Sequence, residues 1–470
     1  MRRVIKIIAI CLIAFLGYII LGALLPFAVA KNERGNLTAD ISRFYQTSGL
    51  KERAALVEKN EDALLTRLSM IEEAEKEIIL STFDIRVGES TTDIFSALVA
   101  AADRGVTVKI YVDGLYGMLH MTGHMIFKAA GSHENLEIRY YNEPNILKPW
   151  TINGRMHDKY LIVDDQLLLL GGRNTFDYFL GSYTPDNIGY DREVLIWQEK
   201  KEDTKGVGAV SQVKTYFEEI WNGTFSKTVF EGKAGEKEQE ELDILRQHYR
   251  QMKEQQTFPV RENWKERTVA IENAVLITNP NHIMKKSPDV WYTLYELMKQ
   301  AEKSVVIQTP YAVFSEEMYG GIEDIADHVP QTKLLTNSTA VGDNVVASSD
   351  YTKNWKYVVG TGISVYEYQG EHSCHGKSIL IDDDLSVIGS YNFDMRSTYI
   401  DTETMLVIYG DEFNGLLRTE VRKMEGDSLL RMEDGSYEKK ETVEEKKLSK
   451  SKSLFYNVAS WVLQPFRYLV

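Results

Sequence analysis

Two stretches of the sequence, "MHDKYLIVDDQLLLLGGRN" (Met156–Asn174) and "CHGKSILIDDDLSVIGSYN" (Cys374–Asn392), follow one pattern. Each has His, any residue, Lys, four residues, Asp, six residues, Gly, then Gly or Ser, any residue and Asn. The paired positions are His157 and His375, Lys159 and Lys377, Asp164 and Asp382, Asn174 and Asn392. Because the same residue types recur at identical spacing, chance is a negligible explanation and the chain contains an internal repeat.

The repeat extends in both directions from this pattern. "AEKEIILSTF" (Ala74–Phe83) returns as "AEKSVVIQTP" (Ala301–Pro310), and each copy follows a helix-like stretch. Further β-rich runs match downstream, and both halves have Asp-x-Glu after the Asn, which places Glu193 opposite Glu403. Helix and strand patterns that alternate in this way predict two similar α/β domains, because each unit must bury one face of a sheet under helices.

The polar residues of the pattern are better explained by a function than by packing. His and Lys two residues apart on a strand point to the same side of the sheet. Burying such a pair, twice, without a function would cost several kcal/mol in desolvation of polar groups. We therefore expect both copies to belong to one catalytic site.

Composition limits the classes of protein that the chain can represent. It has 470 residues, 43% of them apolar, and a formal net charge of −15, so it is globular and disfavours nucleic acid as a partner. Its two cysteines, Cys11 and Cys374, are too few for a disulfide framework or a cysteine-based zinc site. His120 and His124 lack a cysteine or carboxylate partner nearby in sequence, so we expect no metal and no other cofactor.

The N-terminal segment indicates a membrane protein. Ile7 to Ala30 carries no charge and is long enough to cross a bilayer as a helix. A cleaved secretory signal is the alternative, since Ala28-Val29-Ala30 resembles a cleavage site, but the apolar core is long for a signal. We expect a single-pass anchor in the cell membrane, with the catalytic part on the extracytoplasmic side because positive charges precede the segment.

The remaining segments set the expected domain boundaries. A strongly charged, helix-like connection separates the halves, and a polar, lysine-containing stretch precedes an apolar C-terminal segment too short to span a bilayer. That last segment either lies in the membrane interface or docks on the body of the protein. The expected divisions are residues 1–35 (anchor), 36–232 (first domain), 233–268 (helical linker), 269–425 (second domain) and 426–470 (tail).

The duplicated pattern resembles the phospholipase D superfamily, over roughly Glu61 to Ile408. "GSYNFDMRS" followed by "DTE" (Gly389–Glu403) is similar to bacterial cardiolipin synthases in particular, as are "LLTNSTAVGD", "TPYAVFSEE" and "GGRN". The resemblance implies two phospholipase D-like α/β layered domains with mixed sheets, packed as a pseudo-dimer with both motifs at one cleft. An N-terminal transmembrane helix would precede them.

The resemblance also implies roles for the motif residues. His157 would be the nucleophile that forms a phosphohistidine and His375 the general acid and base, although the symmetry of the sequence allows the reverse. Asp164 and Asp382 belong to the catalytic motif but are largely structural in the family. The phosphate-binding residues would be Lys159, Lys377, Asn174 and Asn392, and the carboxylates that orient His157 and His375 would be Glu193 and Glu403.

The function that follows is a cardiolipin synthase-like transfer of phosphatidyl groups, without a cofactor. Phosphatidylglycerol is the expected phospholipid substrate, the bilayer is the expected partner, and no oligomer is required. Two alternatives have the same motifs: a hydrolytic phospholipase D that releases phosphatidic acid, and a phosphodiesterase or nuclease of the superfamily. The acceptor that attacks the phosphohistidine distinguishes the first two functions, and the motifs do not identify it.

Overall fold

The fold is a duplicated α/β architecture, seen here in a computed structural model that describes residues 2–31, 40–184, 186–199, 206–257 and 262–470. Its first half contains nine strands and eight helices. The strands are β1 (Glu52–Val57), β2 (Glu77–Thr82), β3 (Thr107–Asp113), β4 (Leu136–Tyr141), β5 (Tyr160–Val163), β6 (Leu167–Gly171), β7 (Glu193–Gln198), β8 (Ser226–Val229) and β9 (Val269–Ala270). The helices are α1 (Arg2–Val29), α2 (Asn60–Glu73), α3 (Glu89–Asp103), α4 (Gly114–His120), α5 (Met125–Gly131), α6 (Ala209–Trp221), α7 (Glu236–Glu254) and α8 (Trp264–Arg267).

The second half repeats this plan. Its strands are β10 (Asn273–Thr278), β11 (Ser304–Gln308), β12 (Ala312–Val313), β13 (Gln331–Asn337), β14 (Ser364–Tyr368), β15 (Ser378–Ile381), β16 (Leu385–Gly389), β17 (Phe393–Asp394), β18 (Thr404–Tyr409) and β19 (Ser428–Leu430). Its helices are α9 (Asp289–Lys299), α10 (Glu316–His328), α11 (Val345–Val359), α12 (Met395–Tyr399), α13 (Asp411–Gly426) and α14 (Lys450–Leu463), and 3-10 turns cover Ile41–Tyr45, Pro149–Ile152 and Gln464–Leu469.

Each half is built on one large mixed sheet. The strand order is β8-β4-β3-β2-β5-β6-β7-β1-β9 in the first sheet and β10-β18-β16-β15-β11-β13-β14-β19 in the second. In both sheets three parallel strands, β2-β3-β4 and β11-β13-β14, continue into an antiparallel hairpin, β5-β6 and β15-β16. The strands predicted from the two "AEK" segments are β2 and β11, so the fold predicted from the repeat is confirmed.

The described residues form three large hydrophobic cores, one within each half and one between the halves. One core lies between the first sheet and its helices and another between the second sheet and its helices. The central core contains inward-facing residues of both sheets, among them Leu168 and Ile196 from the first half and Leu380 and Leu406 from the second. All four are almost completely buried, so the halves pack sheet against sheet as a pseudo-dimer, with equivalent faces in contact.

The segments outside the repeat attach to this body. Helix α7 of the charged connection buries Leu242, Leu245 and Met252 in the core of the first half. Helix α1 is long and apolar enough to cross a membrane. Helix α14 packs against α11 through Tyr456 and Ser460, so the C-terminal segment docks on the body. The expected boundary between anchor and first domain, at residues 35 and 36, lies outside the described residues.

Candidate active site

The two sequence motifs meet where the halves cross. The His157 backbone N–H donates to the Thr402 carbonyl oxygen at 3.3 Å, and that of His375 donates to the Tyr190 carbonyl at 2.5 Å. Each histidine is thereby held by a strand-like bridge to the opposite half. Both imidazoles line one cavity of about 480 Å³ and are less than a tenth exposed. Residues 218 positions apart in sequence therefore share one enclosed space.

Each imidazole contacts a buried carboxylate through Nδ1. His157 Nδ1 lies 3.0 Å from Glu403 Oε1, and His375 Nδ1 lies 2.6 Å from Asp191 Oδ2. Each carboxylate comes from the half opposite to its histidine. A carboxylate on Nδ1 fixes the orientation of the ring and leaves Nε2 for chemistry, as in other histidine-based sites.

The contact expected between Glu193 and His157 is not formed. Glu193 instead lies between two buried arginines, with 2.8 Å from Arg67 Nη1 to Glu193 Oε2 and 3.3 Å from Arg173 Nε to the same oxygen. Asp191 takes the role of orienting carboxylate, on His375, and Glu403 serves His157.

Strand register explains this correction. Glu193 pairs with Gly171, whereas Gly389, the equivalent glycine, pairs with Met405. Asp191 is therefore the structural counterpart of Glu403, and the Asp-x-Glu match in the sequence is two residues out of register. One signal in the sequence was Gly172: a Cβ there would lie 2.3 Å from Asp191 Oδ1, so only glycine leaves room for that carboxylate.

The two carboxylates differ in their surroundings. Burial raises the pKa of Glu403 to about 7, while Ser390 Oγ donates a hydrogen bond to its Oε2. Burial opposes ionisation of Asp191 as well, but Lys377 and His375 outweigh it and hold the pKa of Asp191 well below its usual range. Burial, with Lys159 next, lowers the pKa of His157 well below that of free imidazole. The site thus pairs a neutral His157 with one carboxylate and places His375 beside a firmly ionised one.

The two motif lysines lie beneath the histidines. Both Nζ groups donate to a backbone carbonyl of their own motif, Lys159 to His157 and Lys377 to His375. Lys377 Nζ also lies 3.7 Å from Asp191 Oδ2. Each lysine is 1% exposed, and burial lowers the pKa of Lys159 to about 7. Burial thus disfavours the charged form of both lysines, and their binding of a phosphate remains a prediction.

The two motif asparagines line the cavity beside the histidines. Asn174 and Asn392 are each less than a tenth exposed, and in both the buried Oδ1 receives no hydrogen bond from another described residue. Buried polar atoms are paired in most proteins, so two unpaired amides facing one cavity indicate that their partner is a ligand. An amide oxygen only accepts hydrogen bonds, so the Nδ2 groups of these side chains are the atoms that could donate to phosphate oxygens, and Oδ1 could accept from a hydroxyl of a ligand.

The two motif aspartates lie away from the cavity, at the turns of the β5-β6 and β15-β16 hairpins. Asp164 accepts hydrogen bonds from the backbone N–H groups of residues 75–77, and Asp382 from those of residues 302–304. Both have a left-handed backbone, with φ of 53° and 47°. They secure the hairpin to the strand beside it, so their place in the motif is structural, as the resemblance implied for its family.

A second cavity adjoins the first beside His375. It has a volume of about 750 Å³ and shares Asn174, Tyr311 and His375 with the first cavity. Phe83 stacks edge-on against His157 with ring centroids 4.9 Å apart, and Phe179 lies 5.2 Å from His375. The sequence did not predict that Phe83 and Phe179 lie beside the histidines, because nothing in their local sequence distinguishes them from core residues.

The arrangement provides no cluster of metal ligands in the part of the chain that the structure describes: no three His, Cys, Asp or Glu side chains there are placed to share an ion. His120, considered above with His124, contacts Asp84 through Nδ1 at 2.6 Å. His124 lies beyond the end of α4 and precedes α5, so the two histidines do not share one helix.

Comparison with known proteins agrees with this site. A family profile described as "Cardiolipin synthase, PLD-like domain" matches residues 68–221 and 294–425, the two halves of the repeat. The chain therefore belongs to the phospholipase D superfamily, in the family of cardiolipin synthase, PLD-like domains.

Relatives share this organisation at low identity. An uncharacterized protein of Helicobacter pylori (strain 26695) is 25% identical over 409 residues, covering 78% of each chain. Cardiolipin synthase B of Salmonella typhimurium is 25% identical over 357 residues, covering 74% of each. Among solved structures, phosphatidylserine synthase of Haemophilus influenzae has a TM-score of 0.64 at 13% identity, over 91% of this chain and 99% of that one. The structural likeness supports the shared fold.

Proposed function

We propose that the protein is a membrane-bound phosphatidyltransferase that makes cardiolipin from two molecules of phosphatidylglycerol. The observation that carries the proposal is the pair of cavities that share Asn174, Tyr311 and His375, with His157 lining the first of them. A transferase must hold a donor and an acceptor against the same reactive atom, and two connected cavities provide room for both. The named synthases among the relatives support a phospholipid as substrate.

We propose His157 as the nucleophile. Its lowered pKa keeps the imidazole neutral, and Glu403 on Nδ1 leaves the lone pair of Nε2 free to attack phosphorus. The P–O bond to glycerol breaks as the N–P bond forms, and His375 supplies the proton to the leaving glycerol oxygen. Ionised Asp191 favours the protonated imidazole that this step needs.

The second step reverses the roles. A hydroxyl of the acceptor's glycerol headgroup gives its proton to His375 and attacks phosphorus, and the N–P bond to His157 breaks. Asn174 and Asn392 would hold the non-bridging oxygens in both steps, with Lys159 and Lys377 supplying positive charge from below. The products are cardiolipin and glycerol, and both histidines return to their starting protonation states.

Product analysis tests the proposal. Full-length protein is reconstituted with phosphatidylglycerol vesicles and a metal chelator, and the lipids are resolved by mass spectrometry. Cardiolipin with an equal amount of glycerol is the expected result. Phosphatidic acid alone would make water the acceptor and the protein a phospholipase. No product would overturn phosphatidylglycerol as the substrate.

Matched histidine variants connect the products to the site. His157→Ala should abolish turnover, whereas His328→Ala, which changes an exposed histidine on α10, should leave it unchanged. In His375→Ala, protein denatured with detergent at neutral pH, where the N–P bond survives, should retain phosphatidyl label on His157 when the leaving group is an activated phenol that needs no general acid. Label that is absent there, but present in His157→Ala, would reverse the two assignments.

A further inference from the structure

Helix α1 has a free section and a docked section. Its uncharged stretch begins at Ile7, and the side chains up to Leu16 are exposed or nearly so. From Tyr18 onward the helix contacts the body: Tyr18 Oη donates to the Leu147 carbonyl at 2.7 Å. Further along, Asn153 Nδ2 donates to the Ala23 carbonyl at 2.6 Å, and Phe27 is fully buried.

The free section is too short to cross a bilayer by itself. Residues 7–17 rise about 16 Å at 1.5 Å per residue, roughly half of the ~30 Å hydrocarbon core. The rest of a membrane span must come from the docked section, residues 18 to about 27. The loop that contacts this section, residues 145–153, must therefore lie at the depth of the hydrocarbon as well.

The surface on one side of α1 is suited to that depth. Ile146 and Leu147 are 64% and 66% exposed, although both are large and apolar, and Ile152 is 43% exposed. Ile146 and Leu147 are adjacent and Ile152 follows in the same loop after the exposed Lys148, and exposed large apolar side chains grouped in this way are uncommon on a surface that faces water. They do not contact a core, and their backbone is fixed by local hydrogen bonds, including Asn145 Oδ1 to the Leu147 N–H at 2.8 Å.

A second surface beside α1, formed by the C-terminal segment, has the same character. Tyr468 Oη donates to the Leu24 carbonyl of α1 at 3.4 Å, which places the C-terminal 3-10 turn against the anchor. Helix α14, just before this turn, buries Tyr456 and Ser460 and exposes a stripe on its opposite face. That stripe consists of Leu454, Phe455, Val458, Trp461 and Val462, all more than half exposed.

The first cavity opens between these two surfaces. Ile152 and Asn153 line it on the side of the loop, and Asn153 is also the residue that bonds to α1. Leu469 and Val470 line it on the side of the tail, where Arg396 binds both of their carbonyl groups. The entrance to the histidines is therefore beside the membrane anchor.

We propose that an apolar rim is inserted into the leaflet of the bilayer that α1 spans, so that the cavity opens into the membrane. The rim is defined as Ile146, Leu147, Ile152, Leu454, Phe455, Val458, Trp461 and Val462. If the substrate is a phospholipid, which rests on the proposed function, its headgroup enters sideways and its acyl chains stay in the bilayer. Lys450 and Lys452, at the start of α14, then lie within reach of anionic headgroups.

Depth measurement tests the rim without any need for turnover. In full-length protein with Cys11→Ala and Cys374→Ala, single cysteines at Leu147→Cys, Val458→Cys or Ile244→Cys carry a nitroxide label in phosphatidylglycerol vesicles. Ile244 is the control, because it is 57% exposed on α7 of the first half.

The rim predicts a clear difference between these labels. Oxygen dissolves in hydrocarbon and a nickel chelate in water, so the ratio of oxygen to nickel accessibility should be at least about fivefold higher at 147 and 458 than at 244. Equal ratios at the three positions would overturn the proposal.

Turnover assays then distinguish a loss of membrane insertion from a loss of catalysis. Leu147→Asp with Trp461→Asp should lower turnover of vesicle lipid at least about tenfold, because charged side chains resist insertion. Turnover of a short-chain phosphatidylglycerol dissolved as monomers should stay within about twofold, as should both activities of Ile244→Asp. An equal loss on both substrates would overturn the rim. If no variant and no parent turns over either lipid, the proposed function fails, and the label depths alone decide the rim.

Discussion

Replacing Asp191 by Asn should slow the reaction about a thousandfold while leaving the fold intact. Asp191 Oδ2 lies 2.6 Å from His375 Nδ1, and no solvent reaches the carboxylate. With the charge centres about 4 Å apart and an effective dielectric constant of about 20, the ionised carboxylate stabilises the imidazolium by about 4 kcal/mol. At about 1.4 kcal/mol for each factor of ten, losing this interaction corresponds to about 10³ in kcat. Asn keeps the shape of the side chain, so packing is retained.

The matched control is Glu193→Gln, which changes the carboxylate that the Asp-x-Glu pattern of the repeat predicts to contact His157. Glu193 is ion-paired with Arg67 and Arg173, and removing its charge leaves two buried arginines without it, at a cost of about 3 kcal/mol of unfolding free energy. We expect kcat of the folded Gln variant to stay within about tenfold of the parent.

Steady-state kinetics and denaturant unfolding of both variants in detergent distinguish the two roles. A fall in kcat for Asp191→Asn with an unchanged KM indicates a residue that positions the general acid. The pH dependence of kcat should also change in Asp191→Asn, because His375 Nδ1 then has no carboxylate beside it. The reasoning is refuted if Asp191→Asn stays within threefold of the parent, or if Glu193→Gln is the slower enzyme with unchanged stability.

Three further predictions concern the other parts of the site. Because burial raises the pKa of Glu403 to about 7, protonated Glu403 would donate to His157 Nδ1 and leave the proton on Nε2, so kcat/KM should rise with pH up to about 7. Ser390→Ala removes a hydrogen bond that favours the carboxylate and should move this rise to higher pH, measured as a pH–rate profile; a rise at lower pH would contradict it. Asn392→Ala should lower kcat about a hundredfold, because the Nδ2 donor proposed for the phosphoryl oxygens is lost. Stability should change little, because the buried Oδ1 has no protein partner among the described residues; burst kinetics and thermal unfolding check both expectations. Asp164→Ala should cost about 2 kcal/mol of unfolding free energy, since three backbone N–H groups lose their acceptor. The kcat of the folded protein should be unchanged. A variant that is stable but inactive would show that Asp164 takes part in catalysis.

The two histidines of the site have different surroundings. The motifs are equivalent in sequence, but Gly172 and Ser390 stand at equivalent positions and only Ser390 donates a hydrogen bond to the neighbouring carboxylate. Lys377 and Asp191 form a contact of 3.7 Å on the side of His375. Burial lowers the pKa of His157 and so favours its neutral form, which is the form that a nucleophile requires.

The sequence allowed the C-terminal segment either to lie in the membrane interface or to dock on the body of the protein, and its contacts are compatible with both. Helix α14 docks on α11, and the face that remains exposed is apolar. Arg467 pairs with Asp350 of α11 at 3.1 Å, which holds the last turn in place beside the cavity. A segment that is both docked and apolar on its outer face is the arrangement expected where a protein surface meets a bilayer.

The sequence by itself determined the duplication, the fold of each half and the paired histidines, lysines and asparagines. It could do so because a repeat at constant spacing carries local information: residues two apart on a strand share a face, and identical strand–turn–strand units fold alike. The apolar N-terminal helix was equally readable, since its length and lack of charge are local properties. The resemblance implied that Asp164 and Asp382 are largely structural, and the structure adds that they accept backbone hydrogen bonds at the hairpin turns.

Only the tertiary structure decided which carboxylate serves which histidine. Asp191 and Glu193 stand two residues apart with the same charge, and both point to the same face of a strand. Their difference arises from the register of β7 against β6, which places Glu193 beside Gly171 and leaves Asp191 to reach across to His375. Register depends on contacts between segments distant in sequence, as does the position of α1 beside the cavity. Such contacts form only in the folded chain, and the one between Asp191 and His375 only when the two halves pack, so local sequence patterns do not contain them.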